Sequence, residues 1–198
     1  TLGMMMICKG LALVISGARP IYMDSIKGYQ TVATGSFIKE LTGVNIPNGI
    51  FIMIAMMATA SFLLNKTILG RYSFAIGSNE EAARLSGVNV IKWKIISYAL
   101  CGMMSGFAAW FMTARLNAAQ PSTGAGYEMD AIAACIIGGA SMSGGEGSVS
   151  GTIIGAFIMS VLINGLRIMS VPSEWQTVVT GAVVIFAVYV DMLRRKKQ

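Results

Sequence analysis

The feature that most limits what this chain can become is a series of apolar runs, each near the length of a membrane crossing and almost free of charge. Residues 2–16, 50–64, 93–113, 149–166 and 175–193 are such runs, and residues 129–140 form a shorter one. An α-helix needs about 20 mostly apolar residues to span the hydrocarbon core of a bilayer. Charged residues make up only 12% of the 198, against 55% hydrophobic, where a soluble domain carries about 25% charged. Too few polar side chains exist to cover a water-facing exterior, so the outer surface faces lipid. The expected fold is all-α: a polytopic transmembrane helix bundle with about five long helices plus a half-helix or re-entrant segment.

Charge orients the runs. Residues 65–94 hold Lys66, Arg71, Arg84, Lys92 and Lys94 against Glu80 and Glu81, and Arg194-Arg195-Lys196-Lys197 follows the last run. Positive charge accumulates on the cytoplasmic side of membrane helices, so both segments, and with them the C-terminus, are expected there. Residues 18–48 mix signs and contain Pro20, Gly28, Gly35, Gly43 and Pro47, as an external loop would. The parity of crossings then works only if residues 129–140 count as a crossing or partial crossing, and their length says that they stop short of a full one. Broken backbone at membrane depth is tolerated where protein or a water-filled cavity surrounds it. The chain opens inside an apolar run at Thr1-Leu2-Gly3 without an initiator Met. It therefore reads as a single transmembrane domain over 1–198, truncated at its N-terminus.

Several function classes are disfavoured. The formal charge of +6 lies in loops and the tail rather than on a basic face interleaved with aromatics, which argues against nucleic-acid binding. The chain has no His, hence neither the usual general base nor the commonest metal ligand. Cys8, Cys101 and Cys135 are odd in number and far apart within apolar runs, as small packing residues would be, and no metal or disulfide spacing is present. Gly144-Gly145-Glu146-Gly147-Ser148 lacks the Lys of a phosphate-binding loop. No enzyme chemistry and no bound cofactor are therefore expected of this chain.

Two short motifs carry more. Gly102 with Gly106 and Gly151 with Gly155 have the small-xxx-small spacing that lets membrane helices approach closely. Between Gly70 and Gly87, Ser78 followed by Glu81 has capping-box spacing, Glu80 and Glu81 suit the first turn of a helix and Arg84 its end. Gly87 can close the helix in a left-handed conformation. The sequence thus predicts a helix of about two turns, too short to be stable alone. It is either an ordinary solvated loop helix or one that docks in a partner's groove.

Residues 75–90 (AIGSNEEAARLSGVNV) resemble the cytoplasmic coupling loop of ribose/xylose/galactose-type ABC permeases. The resemblance continues through residues 114–134 (ARLNAAQPSTGAGYEMDAIAA), 137–148 (IGGASMSGGEGS), 151–155 (GTIIG) and 164–166 (NGL). It includes the opening TLGMM and the GLA of residues 10–12, and reads as the C-terminal portion of such a permease. It implies a bacterial inner-membrane, multi-pass permease subunit of an ATP-driven importer of a monosaccharide. The implied partners are a cytoplasmic ATPase that uses ATP and Mg, a periplasmic sugar-binding protein and a second permease copy. By the same resemblance Gly77, Asn79, Glu80, Glu81, Ala82, Ala83, Arg84 and Gly87 form the ATPase-coupling contact, within a cytoplasmic loop over 65–94.

A sugar route needs neutral hydrogen-bonding groups, and Asn117, Gln120, Ser122, Thr123 and Tyr127 offer them. Glu128 and Asp130 stand where the chain re-enters the membrane; they either line the route or cap the helix that follows. Asn164, in the run over 149–166, reads as a buried polar residue that bonds to another helix or to passing sugar. Residues 141–150 form either a constriction below the half-helix or a plain connecting turn. An ion-coupled secondary carrier of small polar solutes is the alternative function. That class wants carboxylates or His deep within helices, and the apolar runs hold almost none.

Overall fold

A computed structural model describes residues 2–23, 28–36 and 45–195. Gly43 of the expected external loop, and Lys196 and Lys197 of the basic tail, lie outside them. The described elements are α1 (Leu2–Ser16), β1 (Ile21–Tyr22), α2 (Tyr29–Thr34), α3 (Asn48–Lys66), α4 (Ile68–Ser78), α5 (Glu80–Leu85) and α6 (Val90–Leu116). They are followed by β2 (Ala118–Ala119), α7 (Tyr127–Ile137), α8 (Val149–Ile168) and α9 (Ser173–Arg195). Every apolar run has become a helix, and the architecture is all-α apart from one two-residue ribbon. Helices α3, α6 and α8 are long and apolar enough to cross a membrane by length and composition. The most apolar stretches of α3 and α6 contain no buried residue, so their apolar surface is turned outward, as lipid or neighbouring helices require. The short run forms α7, whose 11 residues reach about 16 Å, roughly half the hydrocarbon core.

The chain divides into two compact groups, Thr1–Met56 with Ala99–Ala125 and Met57–Tyr98 with Gly126–Gln198. In the first, β1 pairs antiparallel with β2, Ile21 opposite Ala119 and Tyr22 opposite Ala118. The Tyr29 hydroxyl lies 2.6 Å from Thr113 Oγ1, which ties α2 to α6, and Ala114 of α6 is fully buried. A cleft of about 580 Å³ in this group is lined by Ile50, Met53, Phe107, Trp110 and Phe111 among others, with Thr34 and Arg115 its few polar contributors.

In the second group α7 packs on both α8 and α9. Ala133, Ala134 and Met159 are buried at the centre, with Ile137, Ile163, Val183 and Val184 against them. The α7–α8 contact is backbone on backbone. A methyl group on Gly155 would collide with the Ala134 carbonyl oxygen, one on Gly151 with the Gly138 carbonyl oxygen, and one on Gly138 with the Gly151 carbonyl. Of the two small-xxx-small pairs, then, Gly151 and Gly155 are used within this chain. A methyl group on Gly102 or Gly106 would meet nothing within 4 Å. The next tight approach comes where α3 turns into α4: Gly70 lies against the Leu64 carbonyl, and Thr67 Oγ1 donates to the Leu63 carbonyl oxygen at 2.5 Å.

Because only glycine fits at 155, Gly155→Val should lower the stability of the detergent-solubilised protein by about 1–3 kcal/mol, the usual cost of overpacking. Gly165→Ala, on the same helix but facing open space, should leave the thermal unfolding midpoint unchanged or slightly raised. Equal midpoints for the two variants would contradict the packing described.

Candidate functional site

Two features of the second group gather the chemistry-bearing residues. The first is the short helix α5. Its cap is Asn79 rather than Ser78: Asn79 has extended backbone (φ −154, ψ 104), and its side chain accepts a hydrogen bond from the Ala82 amide at 3.0 Å. Ser78 is the last residue of α4, and a residue with helical backbone cannot serve as the N-cap of the next helix. The expected pairing of Ser78 with Glu81 is therefore replaced by an Asn79 cap, with Glu80 and Glu81 in the first turn and Arg84 in the last. Both ends suit the helix dipole. Gly87 closes the segment at φ +85, and the Val88 amide donates to the Ala83 carbonyl at 3.1 Å.

Helix α5 is held by its surroundings rather than by its own six residues. Lys94 Nζ lies 2.6 Å from Glu80 Oε2, the Tyr72 and Trp93 rings meet edge to face at 4.9 Å, and the Ser73 and Ser97 hydroxyls are 3.3 Å apart. These contacts fix α4 and α5 on the start of α6. The Lys94–Glu80 pair is exposed and contributes orientation more than stability. Of the residues expected to form the coupling contact, Asn79, Glu80, Glu81, Ala82, Arg84 and Gly87 are exposed, whereas Ala83 is buried and anchors the helix. Gly77 is turned toward the chain itself and meets the backbone of Gly144 and Gly145. Leu85, 82% exposed at the end of α5, is an apolar contact that sequence reasoning missed. A bare Leu beside a ring of charges is the signal that could have marked it.

The second feature is a cleft of about 320 Å³ between α7 and α8, lined by Tyr127, Asp130, Ala134, Met159, Ser160, Ile163, Asn164 and Arg167 among others. Its residues on α8 run from Ala156 to Arg167, about 16 Å of helix. The cleft brings together Tyr127, Asp130 and Asn164 and adds Ser160 and Arg167, which the sequence did not single out. Asn164 is exposed, facing this open cleft, and is not the buried polar residue expected; α7 ends beside that part of α8 and leaves the space uncovered. Glu128 does not line the cleft. The N-cap of α7 is Gly126 at φ 90, with no side-chain capping bond, and both Glu128 and Asp130 lie in the first turn. Neither is thus the capping residue; both favour the positive end of the helix dipole, and Asp130 alone of the two also reaches the cleft.

Asn117, Gln120 and Thr123 belong to the other group, Asn117 between α6 and β2 and the other two in the loop from β2 to α7. Asn117 takes a left-handed turn (φ 52) and its carbonyl accepts from the Met23 amide at 3.0 Å, while Gln120 and Thr123 are exposed. The 320 Å³ cleft mixes hydroxyl, amide, carboxylate and guanidinium groups on an apolar floor, a lining that suits a small polyhydroxylated solute. The larger apolar cleft of the first group offers few such partners. Among the described residues no cluster of His, Cys, Asp or Glu could hold a metal ion.

The Asn79 cap is testable on its own. Asn79→Ala should destabilise α5 by about 1 kcal/mol, seen as faster amide hydrogen exchange at Ala82 and Ala83 with the exchange of α8 unchanged. Unaltered exchange at both amides would mean the side-chain cap does not hold the helix.

Over residues 1–188 the chain matches the model of a family described as branched-chain amino acid transport system / permease component. It is 41% identical over 198 residues to the ribose import permease protein of Escherichia coli (strain K12), covering 100% of this chain and 60% of that protein. Identity to the ribose import permease protein of Bacillus subtilis (strain 168) is 41% over 198 residues, covering 100% of this chain and 59% of the other. The xylose transport system permease protein of Haemophilus influenzae is 45% identical over 152 residues, 77% of this chain and 40% of that protein. The chain thus spans about three-fifths of the length of the ribose permeases it matches. No solved structure gives a significant match.

Proposed function

The chain belongs to this family of transport permease components, and on that premise we propose that it is part of the membrane permease subunit of an ATP-driven importer of a monosaccharide, ribose or a related pentose or hexose. The names of the ribose and xylose relatives support the substrate class. The observation that carries the reading is the exposed, capped helix α5, braced on α4 and α6 yet too short to persist without them. Its exposed Glu80, Glu81, Ala82, Arg84 and Leu85, with Asn79 and Gly87 at its ends, form a knob for the groove of a cytoplasmic ATPase. ATP and Mg are bound and used by that partner, and this chain does no covalent chemistry. Movement of α5 between two nucleotide states of the ATPase is what couples hydrolysis to transport, since only differential contact in two states can shift an equilibrium.

Tyr127, Asp130, Asn164, Ser160 and Arg167 line the sugar route. The end of α7 that bears Ile137 lies on the same side as α5, so its Tyr127 end sits about 16 Å in, near the middle of the bilayer. From there the cleft rises along α8 toward the far face, where a sugar delivered by a periplasmic binding protein would enter. Residues 65–94 and the end of α9 are cytoplasmic in this arrangement, the membrane is the bacterial inner membrane, and a second permease copy supplies the opposite wall.

Co-purification of the full-length permease with the ATPase encoded beside it tests the reading. Wild type should capture the ATPase, and Glu81→Lys or Leu85→Glu should weaken capture by at least about tenfold, the loss expected of a central interface contact. Asn164→Leu should keep capture and lower sugar uptake by about two- to tenfold through the loss of a hydrogen bond. Uptake that follows an ion gradient, with no ATPase bound by well-folded wild type, would favour the secondary carrier instead.

A further inference from the structure

The loop from Gly138 to Ser148 joins the half-helix α7 to α8, and it is closed on itself. The Gly139 amide donates to the Ile136 carbonyl at 2.9 Å and the Ala140 amide to the Cys135 carbonyl at 2.9 Å. The Ser141 amide donates to the Glu146 carbonyl at 3.0 Å and the Gly144 amide to the Ser141 carbonyl at 3.1 Å. Ser148 Oγ accepts from the Gly151 amide at 3.1 Å and caps α8. A loop bonded to itself and to both flanking helices moves with them as one body rather than absorbing a displacement.

That body rests on the end of α4, the residues that lead directly into α5. A methyl group on Gly77 would stand 2.6 Å from the Gly145 amide nitrogen, and one on Gly144 would stand 2.6 Å from the Gly77 carbonyl oxygen and 2.9 Å from its Cα. One on Gly145 would lie 3.1 Å from Ser78 Cα. The atoms in contact are backbone, which cannot swing aside as a side chain can. Gly144 and Gly145 adopt φ +87 and +83, a conformation that places their main chain against α4 and that glycine alone takes without strain. On the other side, Gly138, Gly151 and Gly155 lock α7 to α8 in the same way.

We propose that the contact of Gly77 with Gly144 and Gly145 is a rigid joint that delivers movement of α5 to the half-helix α7, and so to the sugar cleft at its far end. The inference rests on the ATP-driven permease reading above and adds the route by which the ATPase reaches the cleft. Gly144 is a positioning residue: it touches neither the ATPase nor the sugar, and acts by holding the loop at contact distance from α4. Gly77 works from the inner side of the coupling segment, toward the loop. A joint without side chains has little slack, so a small shift at α5 is passed on rather than dissipated.

The test uses the full-length permease reconstituted in vesicles with its ATPase and sugar-binding protein, and reads ATPase capture, ATP hydrolysis and sugar uptake together. Gly144→Ala should retain capture of the ATPase, lower uptake by about tenfold, the size of a typical coupling free energy, and raise the ATP hydrolysed per sugar moved. Gly139→Ala carries the same backbone strain at φ +88 but faces open space, and should transport within about twofold of wild type. Should Gly144→Ala fail to fold, Gly77→Ala, on helical backbone that accepts alanine, should show the same fall in uptake. Wild-type stoichiometry in the folded Gly144 or Gly77 variant, or an equal loss in Gly139→Ala, would overturn the joint while leaving the permease reading intact. Failure of wild type itself to capture an ATPase would instead defeat the permease reading, and the joint with it.

Discussion

Backbone approach between α7 and α8 is the contact on which the second half of the chain depends. In lipid, apolar side chains gain nothing by leaving hydrocarbon for one another's company, so helices associate through close van der Waals contact and polar bonds. Gly138, Gly151 and Gly155 supply that contact by bringing the main chain of each helix onto the other. A half-helix of 11 residues has too little surface to hold itself against the bilayer by length. Its place is secured by this approach, by the buried Ala133 and Ala134, and by Met159, Val183 and Val184 around them.

The polar cleft exists because α7 stops early. A full crossing would lay apolar side chains along the whole of α8; a helix that begins at Tyr127 leaves Ser160, Asn164 and Arg167 uncovered. Within a membrane bundle, polar groups are tolerated where a cavity or a solute meets them. The first turn of α7 also directs the positive end of its dipole, with Asp130 beside it, toward the same space. The interruption that shortens the span is thus what opens the cleft.

Much of this was legible in the residues. The apolar runs became helices within two or three residues of most of their expected ends, because burial in lipid leaves the backbone no partner but itself. The short run became a half-helix because its length allows nothing more. The helix at Glu80–Leu85 and its left-handed Gly87 were readable from turn and cap chemistry. The cap itself was not: Ser78 and Asn79 are both good capping residues, and only the extension of α4 through Ser78 chose between them. Leu85, Ser160 and Arg167 escaped because a Leu at a helix end, a Ser in an apolar run and an Arg in a last turn all have ordinary explanations one residue at a time.

The sequence by itself determined the class and the element order, since composition, length and charge act locally and need no neighbour to have their effect. It also determined which glycines could serve as contact points, but not which do: Gly102 and Gly106 share the spacing of Gly151 and Gly155 and meet nothing within 4 Å. Only the tertiary structure decided that Gly77 turns inward to Gly144, that Ala83 anchors α5, and that Asp130 rather than Glu128 reaches the cleft. These are questions of which face of an element meets which other element. Residues tens of positions apart in the chain answer them together, and no local property of either partner carries the answer.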